Sequence, residues 1–273
     1  MSSEYKRQVS KFSKKDAVVA CGIYLLYVVV STVIILVYQV VEESLTHSQV
    51  GLLGGFLGFI CPIIVFVLVK KNKQGLSSLG IRKEKMLVAL RLGVVFSFIP
   101  ITFGEILPRV LYGGEVQAFG AIIFTLFLTF LFASAEDIMF VSYLQTRIHG
   151  LIKSEKIAIC LVATMFSLGH IPPWLVAGQL DFQNLLPVGI SILSWFLAHV
   201  AYVLVFKRYF SLFPIMLMHT MNNFSWGSIW VISDTHTTDA EEWRMLGGLV
   251  YFLAICIWAL FMRFRKKQLH FKT

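Results

Sequence analysis

Residues 120–147 read GAIIFTLFLTFLFASAEDIMFVSYLQTR, and this stretch decides the fold class. It carries no charge until Glu136 and Asp137. A run of about 20 mostly apolar residues is long enough to cross the hydrocarbon of a bilayer as a helix. Ionisable side chains inside such a run are costly in lipid, so they usually face a bundle interior or a water-filled cavity. The stretch therefore predicts a transmembrane helix with an internal polar site.

The whole chain is apolar. Its 273 residues are 57% hydrophobic and only 14% charged, which excludes a soluble domain of ordinary composition. Windows of about 20 apolar residues predict eight transmembrane helices. They cover residues 16–40, 48–69, 86–107, 120–147, 156–171, 185–206, 211–232 and 245–263. We therefore expect an all-α polytopic membrane helix bundle.

The basic residues divide between the loops very unequally. Of the 24 lysines and arginines, 21 fall in the two tails and in the loops after the second, fourth and sixth spans. The other loops hold only Arg109 and Arg244, and Arg91 lies within the third span. Because Lys and Arg in short loops stay in the cytoplasm, both termini are predicted to be cytosolic. The net charge of +9 is scattered in short clusters, so we expect a lipid bilayer around the protein and no nucleic-acid partner.

The loop 70–85 is the largest polar interruption and suggests two parts. Residues 1–85 would form two transmembrane helices plus a basic cytosolic loop. Residues 86–273 would form a six-helix membrane core, and the candidate functional residues all fall there. The four cysteines lie within predicted spans and show no paired spacing, which argues against a disulfide framework and a thiolate zinc site.

Three polar motifs interrupt the apolar spans of this second part. Adjacent residues on a helix point about 100° apart, so one of Glu136 and Asp137 is a candidate base and the other a supporting group. The fifth span ends in Phe-Ser-Leu-Gly-His at His170, where Pro172 and Pro173 are expected to stop the helix.

The third motif lies in the seventh span. His219 and Asn223 are four residues apart and share a helix face. Each motif alone is also compatible with hydrogen bonding between helices. Together they supply the side chains that activate water: an acid, two imidazoles and an amide. His199 in the sixth span is expected to be a hydrogen-bonded packing residue.

The order of the motifs resembles the CAAX protease and bacteriocin-processing (CPBP, or Abi) family of intramembrane proteases. The resemblance covers residues of about 120–226, and the segment from Glu136 to Arg147 is similar to the family signature Glu-Glu-x-x-Phe-Arg-Gly-x-Leu-Gln. Asp137 stands where the family has a second Glu, and Val141 stands where it has Arg. Val141 removes a cation from the signature, and Arg91 in the third span is a candidate replacement.

The resemblance implies roles for the residues that match. Glu136 would activate the attacking water with help from His170, and Asp137 would support it. His219 and Asn223 would stabilise the oxyanion of the tetrahedral intermediate. The family has also been described as metal-dependent, in which case Glu136, His170 and His219 would bind zinc. We favour a metal-free site without a cofactor, because Asn is an uncommon zinc ligand.

The resemblance also implies a function. We expect an intramembrane endopeptidase that cleaves a peptide or a membrane-anchored protein. The bacterial branches imply maturation of a secreted peptide, or bacteriocin self-immunity, in the bacterial cell membrane. The alternative is a catalytically degenerate relative that acts as a membrane scaffold or regulator, and Val141 supports it. A transporter is less favoured because broken helices in corresponding halves are absent.

One depth estimate conflicts with this site. At about 1.5 Å per residue, Glu136 lies roughly 16 Å from Arg147, whereas His170 lies roughly 21 Å from Lys156. If Arg147 and Lys156 both mark the cytosolic edge, the two side chains differ in depth. We therefore expect the boundary of the fifth helix to be misplaced.

Overall fold

The computed structural model describes residues 2–41, 47–83, 86–178, 185–232 and 236–270, and these residues are mostly helical. The α-helices are α1 (Ser3–Val9), α2 (Lys14–Val41), α3 (His47–Gly58), α4 (Ile60–Lys71), α5 (Met86–Ile101), α6 (Leu107–Tyr112), α7 (Phe119–Glu136), α8 (Gln145–Ile152), α9 (Glu155–Gly169), α10 (Ile171–Val176), α11 (Leu185–Tyr209), α12 (Phe213–Phe224) and α13 (Thr237–His270). Two π-helical segments, Thr102–Ile106 and Asp137–Leu144, join α5 to α6 and α7 to α8. A 3-10 turn covers Leu76–Leu79, and the two-residue strands β1 (Glu115–Val116) and β2 (Trp230–Val231) pair antiparallel.

The prediction of an all-α polytopic membrane bundle is confirmed. Within the described residues, seven helical stretches are long and apolar enough to cross a membrane. They correspond to all of the predicted spans except 211–232. That span contains only the 12-residue helix α12, which at about 1.5 Å per residue is far shorter than the hydrocarbon thickness.

The segment 211–232 nevertheless runs from one face of the bundle to the other. Just before α12, the Leu212 N–H donates to the carbonyl of Gly80 (2.9 Å) in the loop between α4 and α5. After α12, β2 pairs with β1, which lies in the connection between α6 and α7. Non-helical backbone at membrane depth is tolerated where it is buried in protein. Hydropathy detected the apolar length correctly but not the break in the helix.

The N-terminal helix α1 and the part of α13 around Met262 lie at one face of the bundle, which we call the basic face. The Ser2 N–H donates to the carbonyl of Lys207 at the end of α11 (2.9 Å), and Lys207 forms an ion pair with Glu155 at the start of α9. Arg208 donates to the carbonyl of Met262 in α13 (3.4 Å). Both ends of the described chain therefore lie on the same side. That this side is cytosolic stays a prediction.

The opposite face, which we call the ribbon face, carries the β1–β2 pair. There the Gln117 side chain donates to the carbonyl of Gly227 (3.0 Å), just before β2. Trp243 Nε1 near the start of α13 donates to the Tyr112 hydroxyl at the end of α6 (3.2 Å). These contacts tie the connections at this face to one another.

The end of the fifth span was misplaced in the sequence analysis, because the helical stretch continues beyond His170. Pro172 and Pro173 do not stop it: they lie in the first turn of α10, which follows α9 after His170. Proline is compatible with a first helical turn, where its missing N–H would have no partner in any case.

The depth conflict comes from Arg147. Its side chain is 2% exposed, with the guanidinium between the rings of Phe12 and Tyr143, so it does not mark a membrane edge. The helical run continues to Ile152, which puts Glu136 roughly 24 Å from its end. The corresponding distance from the start of α9 to His170 is roughly 22 Å. The two side chains therefore lie at similar depth.

Helix α12 lies in the middle of the bundle and packs against α5 and α7. At Gly104 the π segment after α5 packs tightly against the chain just beyond α12. A Cβ atom at Gly104 would lie 2.0 Å from the backbone oxygen of Ser225. Because this neighbour is backbone, it cannot rotate away, so the position requires glycine.

We predict that Gly104→Ala destabilises the bundle by about 1–3 kcal/mol, the usual cost of overpacking a well-packed interior. The measurement is the thermal unfolding midpoint of the purified protein in detergent. Gly22→Ala in α2 is the matched control, since no atom of another element lies within 4 Å of the added methyl group. Equal midpoints for both variants would contradict the close packing at Gly104.

Candidate functional site

Glu136 is the last residue of α7, where the α-helix passes into the π segment Asp137–Leu144. Its side chain is 21% exposed. Its Oε1 accepts a hydrogen bond from the Tyr27 hydroxyl of α2 (2.9 Å) and lies 3.8 Å from His170 Nε2. Its Oε2 lies 3.7 Å from His219 Nε2. One carboxylate thus meets side chains from three other parts of the chain.

Asp137 is almost fully buried and contacts the other side of the His219 ring. Its Oδ1 lies 3.1 Å from His219 Nδ1. A carboxylate can only accept, so His219 Nδ1–H donates this bond. The two adjacent carboxylates therefore hold one imidazole from opposite edges, with Glu136 toward Nε2 and Asp137 on Nδ1.

His170 follows α9, and its ring is fixed by three neighbours. Its Nδ1 donates to the backbone carbonyl of Phe166 (2.8 Å), and its ring stacks on Trp195 of α11 (4.6 Å between centroids, 17° between planes). The Phe166 ring packs edge-on against it. With Nδ1 occupied, Nε2 is the nitrogen left to act at Glu136.

Asn223 lies one turn beyond His219 on α12, and both side chains line the same cavity. The Nδ2 group of Asn222 donates to Asn223 Oδ1 (3.4 Å). This bond uses the side-chain oxygen of Asn223, so its side-chain N–H groups are the ones left to bind a ligand in the cavity. The cavity has a volume of about 340 Å³, which is in the range of ligand-binding sites.

This cavity brings together the candidate residues from three spans. Glu136, His170, His219 and Asn223 all line it, and Ser191, Ser194 and Trp226 contribute further polar or aromatic surface. Asp137 is not among the lining residues and acts from behind His219.

A second cavity of about 220 Å³ meets the first one at the carboxylate. Glu136, His170 and Trp174 line both. The rest of the second cavity is mostly apolar and includes Ile34 of α2 and Phe132 of α7. Glu136 is therefore reachable from two sides of the bundle.

The gaps around Glu136 suit a water molecule. Separations of 3.7 Å and 3.8 Å to the two imidazoles are too long for direct hydrogen bonds. A polar contact of this length is commonly bridged by water, which bonds to both groups. The arrangement can thus hold a water beside a carboxylate base and within reach of the two rings.

The separations are wide for a metal centre. Zinc ligands lie about 2.0–2.2 Å from the ion in tetrahedral geometry, so neighbouring donor atoms are about 3.3 Å apart. The Glu136 oxygens and the imidazole nitrogens exceed that spacing. In the part of the chain that the structure describes, no group of three or more His, Cys, Asp or Glu side chains is arranged to hold a metal ion.

Val141, which stands at the arginine position of the family signature, and its candidate replacement Arg91 both lie outside the site. Val141 is buried, with 2% exposure, and lines neither cavity. Arg91 is exposed on α5 and lines neither cavity, so it does not replace the missing cation at the site. His199 is buried, its Nε2 pairs with Gln145 Oε1 (3.2 Å), and it lines neither cavity.

Tyr27 and Trp195 are site residues that the sequence analysis missed. Tyr27 lies 13 residues into α2, near mid-span, whereas membrane tyrosines are enriched at the interfaces. A tyrosine at mid-depth needs a partner for its hydroxyl, and this signal was available in the sequence. Nothing in the sequence indicated that Trp195 would stack on His170.

A comparison with protein families agrees with this geometry. Residues 118–225 match the family described as type II CAAX prenyl endopeptidase Rce1-like. A search of curated proteins found no match. The matched segment contains all five candidate residues, Glu136, Asp137, His170, His219 and Asn223. The resemblance inferred from the three motifs is thereby confirmed: residues 118–225 carry the sequence pattern of the Rce1-like CAAX endopeptidases, a pattern that implies an intramembrane protease.

Proposed function

We propose that the protein is an intramembrane endopeptidase in which Glu136 is the general base. The observation that carries the proposal is the surroundings of Glu136. Its carboxylate lies within 4 Å of the imidazoles of His170 and His219 and accepts a hydrogen bond from the Tyr27 hydroxyl. It also lines both cavities. The substrate is a peptide or a membrane-anchored protein. Maturation of a secreted peptide and bacteriocin self-immunity in a bacterial cell membrane are the roles that suit this chemistry.

The first step is attack of water on the peptide carbonyl carbon. Glu136 takes a proton from the water as the new C–O bond forms, and this general-base step contributes about 10²–10⁴-fold. Tyr27 holds Glu136 Oε1, and His170 Nε2 faces the same oxygen. Both contacts orient the carboxylate and its water.

The oxyanion formed in this step needs hydrogen-bond donors. Asn223 offers the N–H groups of its amide to the cavity. His219 offers Nε2–H in its protonated form, and the Asp137 carboxylate on Nδ1 stabilises the positive charge of that form. Preorganised donors of this kind typically contribute about 10²–10³-fold each. The C–N bond then breaks, and the proton on Glu136 passes to the leaving amine.

The mechanism is proposed to be metal-free. It uses one carboxylate, two imidazoles and one amide, and each of these has a role that needs no ion. The distances from the Glu136 oxygens to the imidazole nitrogens of His170 and His219 are longer than those between neighbouring ligand atoms of a zinc ion, and this supports the choice.

We predict that Glu136→Gln and His170→Ala each lower kcat by at least about 100-fold, because each variant removes a group that handles the attacking water. The assay is cleavage of internally quenched peptides by the purified protein in detergent. One peptide ends in a prenylated cysteine followed by three residues, and the other has the same sequence without the lipid.

Glu115→Gln is the control for this pair, since Glu115 is exposed on β1 at a distance from the cavities. Accumulation of folded protein is compared by gel filtration. If both site variants cleave as fast as Glu115→Gln, Glu136 and His170 do not handle the attacking water and the proposed mechanism fails. If the unchanged chain and Glu115→Gln cleave neither peptide, the protein is a non-cleaving scaffold or regulator.

Tyr27→Phe is predicted to lower kcat by about 10-fold or more, since a hydrogen bond to a charged group is typically worth about 1.5–3 kcal/mol. Tyr24→Phe is the matched control on the same helix. The Tyr24 hydroxyl donates to the backbone carbonyl of Met165 (3.0 Å) and not to the site. A loss of kcat of the same size in both variants would assign the effect to the packing of α2.

Chelation is predicted to leave cleavage unchanged. The purified protein is treated with 1,10-phenanthroline and EDTA, and bound metal is measured by elemental analysis. We expect far less than one zinc per chain and full activity. Loss of activity that added zinc restores would overturn the metal-free mechanism and assign Glu136, His170 and His219 as ligands.

A further inference from the structure

The cavity extends from Glu136 toward the ribbon face. On α11 it is lined from Ser191, near the start of the helix, and on α13 from Met245, also near the start. Both helices begin at the ribbon face. Trp226, which follows α12, and Trp174 of α10 complete this end of the cavity. Trp226 is 47% exposed, so the lining of the cavity reaches the protein surface at its ribbon-face end.

The two faces differ strongly in charge. The basic face carries exposed lysines at the ends of three elements: Lys11 after α1, Lys14 and Lys15 at the start of α2, and Lys70 and Lys71 at the end of α4. The basic residues in the ribbon-face connections are Arg109 and Arg244. Arg109 lies over the ring of Trp230 (5.3 Å), and Arg244 donates to the carbonyl of Gly104 (3.3 Å).

Acidic residues are also present at the ribbon face. The described chain carries four of them there: Glu115 on β1, and Asp239, Glu241 and Glu242 in the first turns of α13. Glu42, Glu43, Asp181 and Asp234 lie outside the described residues. Lysine and arginine near the ends of membrane spans are retained on the cytoplasmic side, whereas acidic residues have little influence on orientation. This rule predicts that the basic face is the cytoplasmic one.

We infer that the mouth of the cavity opens on the side of the membrane away from the cytoplasm, and that the substrate is a basic polypeptide segment on that side. Such a segment belongs to an exported peptide or to the external part of a membrane protein. That the segment is cleaved rests on the proposed function. The direction in which the cavity opens does not.

Glu241 gives this mouth its charge preference. Glu241, Met245, Gly248 and Phe252 follow one another at spacings of four, three and four residues, so they share one face of α13. The last three line the cavity, and exposed Glu241 continues the same stripe at its outer end. A substrate that enters along this stripe passes a carboxylate, which favours lysine or arginine near the cleaved bond. Glu242 points about 100° away from the stripe.

Cysteine labelling tests which side of the membrane the ribbon face is on. Glu115→Cys places a thiol on the ribbon face, and Lys11→Cys places one on the basic face. Intact cells are treated with a membrane-impermeant maleimide, with the unchanged chain as the blank. We expect Glu115→Cys to react at least about 10-fold more than Lys11→Cys, and both to react equally once the cells are permeabilised. Preferential labelling of Lys11→Cys in intact cells would overturn the inference.

Kinetics test the charge preference. Two quenched peptides of equal length are compared, one with two lysines beside the cleaved bond and one with two glutamines. Glu241→Gln is expected to raise KM for the lysine peptide by about 5-fold, with kcat unchanged and with little effect on the glutamine peptide. Glu242→Gln is the control and should behave as the unchanged chain. An equal effect of both substitutions, or an unchanged KM in Glu241→Gln, would reject Glu241 as the selective residue.

The two proposals fail in different ways. If the unchanged chain cleaves neither peptide in detergent, the proposed protease activity fails, while the labelling still decides on which side the cavity opens. If it cleaves the lysine peptide in inside-out vesicles without detergent but not in right-side-out vesicles, the activity stands and the inferred side is wrong.

Discussion

A carboxylate inside a membrane bundle has to be hydrogen-bonded or paired, and Glu136 imposes this requirement on the helices around it. Its partners come from α2, from the junction of α9 and α10, and from α12: Tyr27, His170 and His219. These elements must therefore meet at one depth. The site forms only when these helices pack correctly, and the contacts at the site in turn help to hold the helices in place.

The irregular parts of the helices lie around this site. The π segment that starts at Asp137 follows Glu136 directly, and π segments occur frequently at functional sites. Beyond α12, the break in the helix frees backbone N–H groups, and a buried carboxylate satisfies them. Glu105, in the other π segment, accepts from the N–H groups of Gly227, Ser228 and Ile229 (3.0, 2.7 and 3.3 Å). This holds the chain that follows Asn223 at the rim of the cavity.

Some features could be predicted from the sequence because they depend on local properties. Apolar length indicated the membrane bundle, and the acidic pair with its two downstream motifs indicated the family and the candidate residues. Other features could not be predicted in this way. Hydropathy measures transfer into lipid and is blind to a helix break such as the one after Phe224. Pro172 and Pro173 are equally compatible with a helix end and a helix start. From the sequence, Arg147 was expected to mark a membrane edge. In the structure its guanidinium lies between the rings of Phe12 and Tyr143, a contact that no local pattern indicates.

The sequence by itself determined that this is a multi-helix membrane protein whose spans carry an acid, two imidazoles and an amide. It did so because helix formation and transfer into lipid depend on nearby residues. Only the tertiary structure decided which side chains meet. Tyr27 and Glu136 are 109 residues apart, and Asp137 and His219 are 82 apart. Their contact depends on the depth and rotation of separate helices, and these are set by packing across the bundle, not by any local pattern.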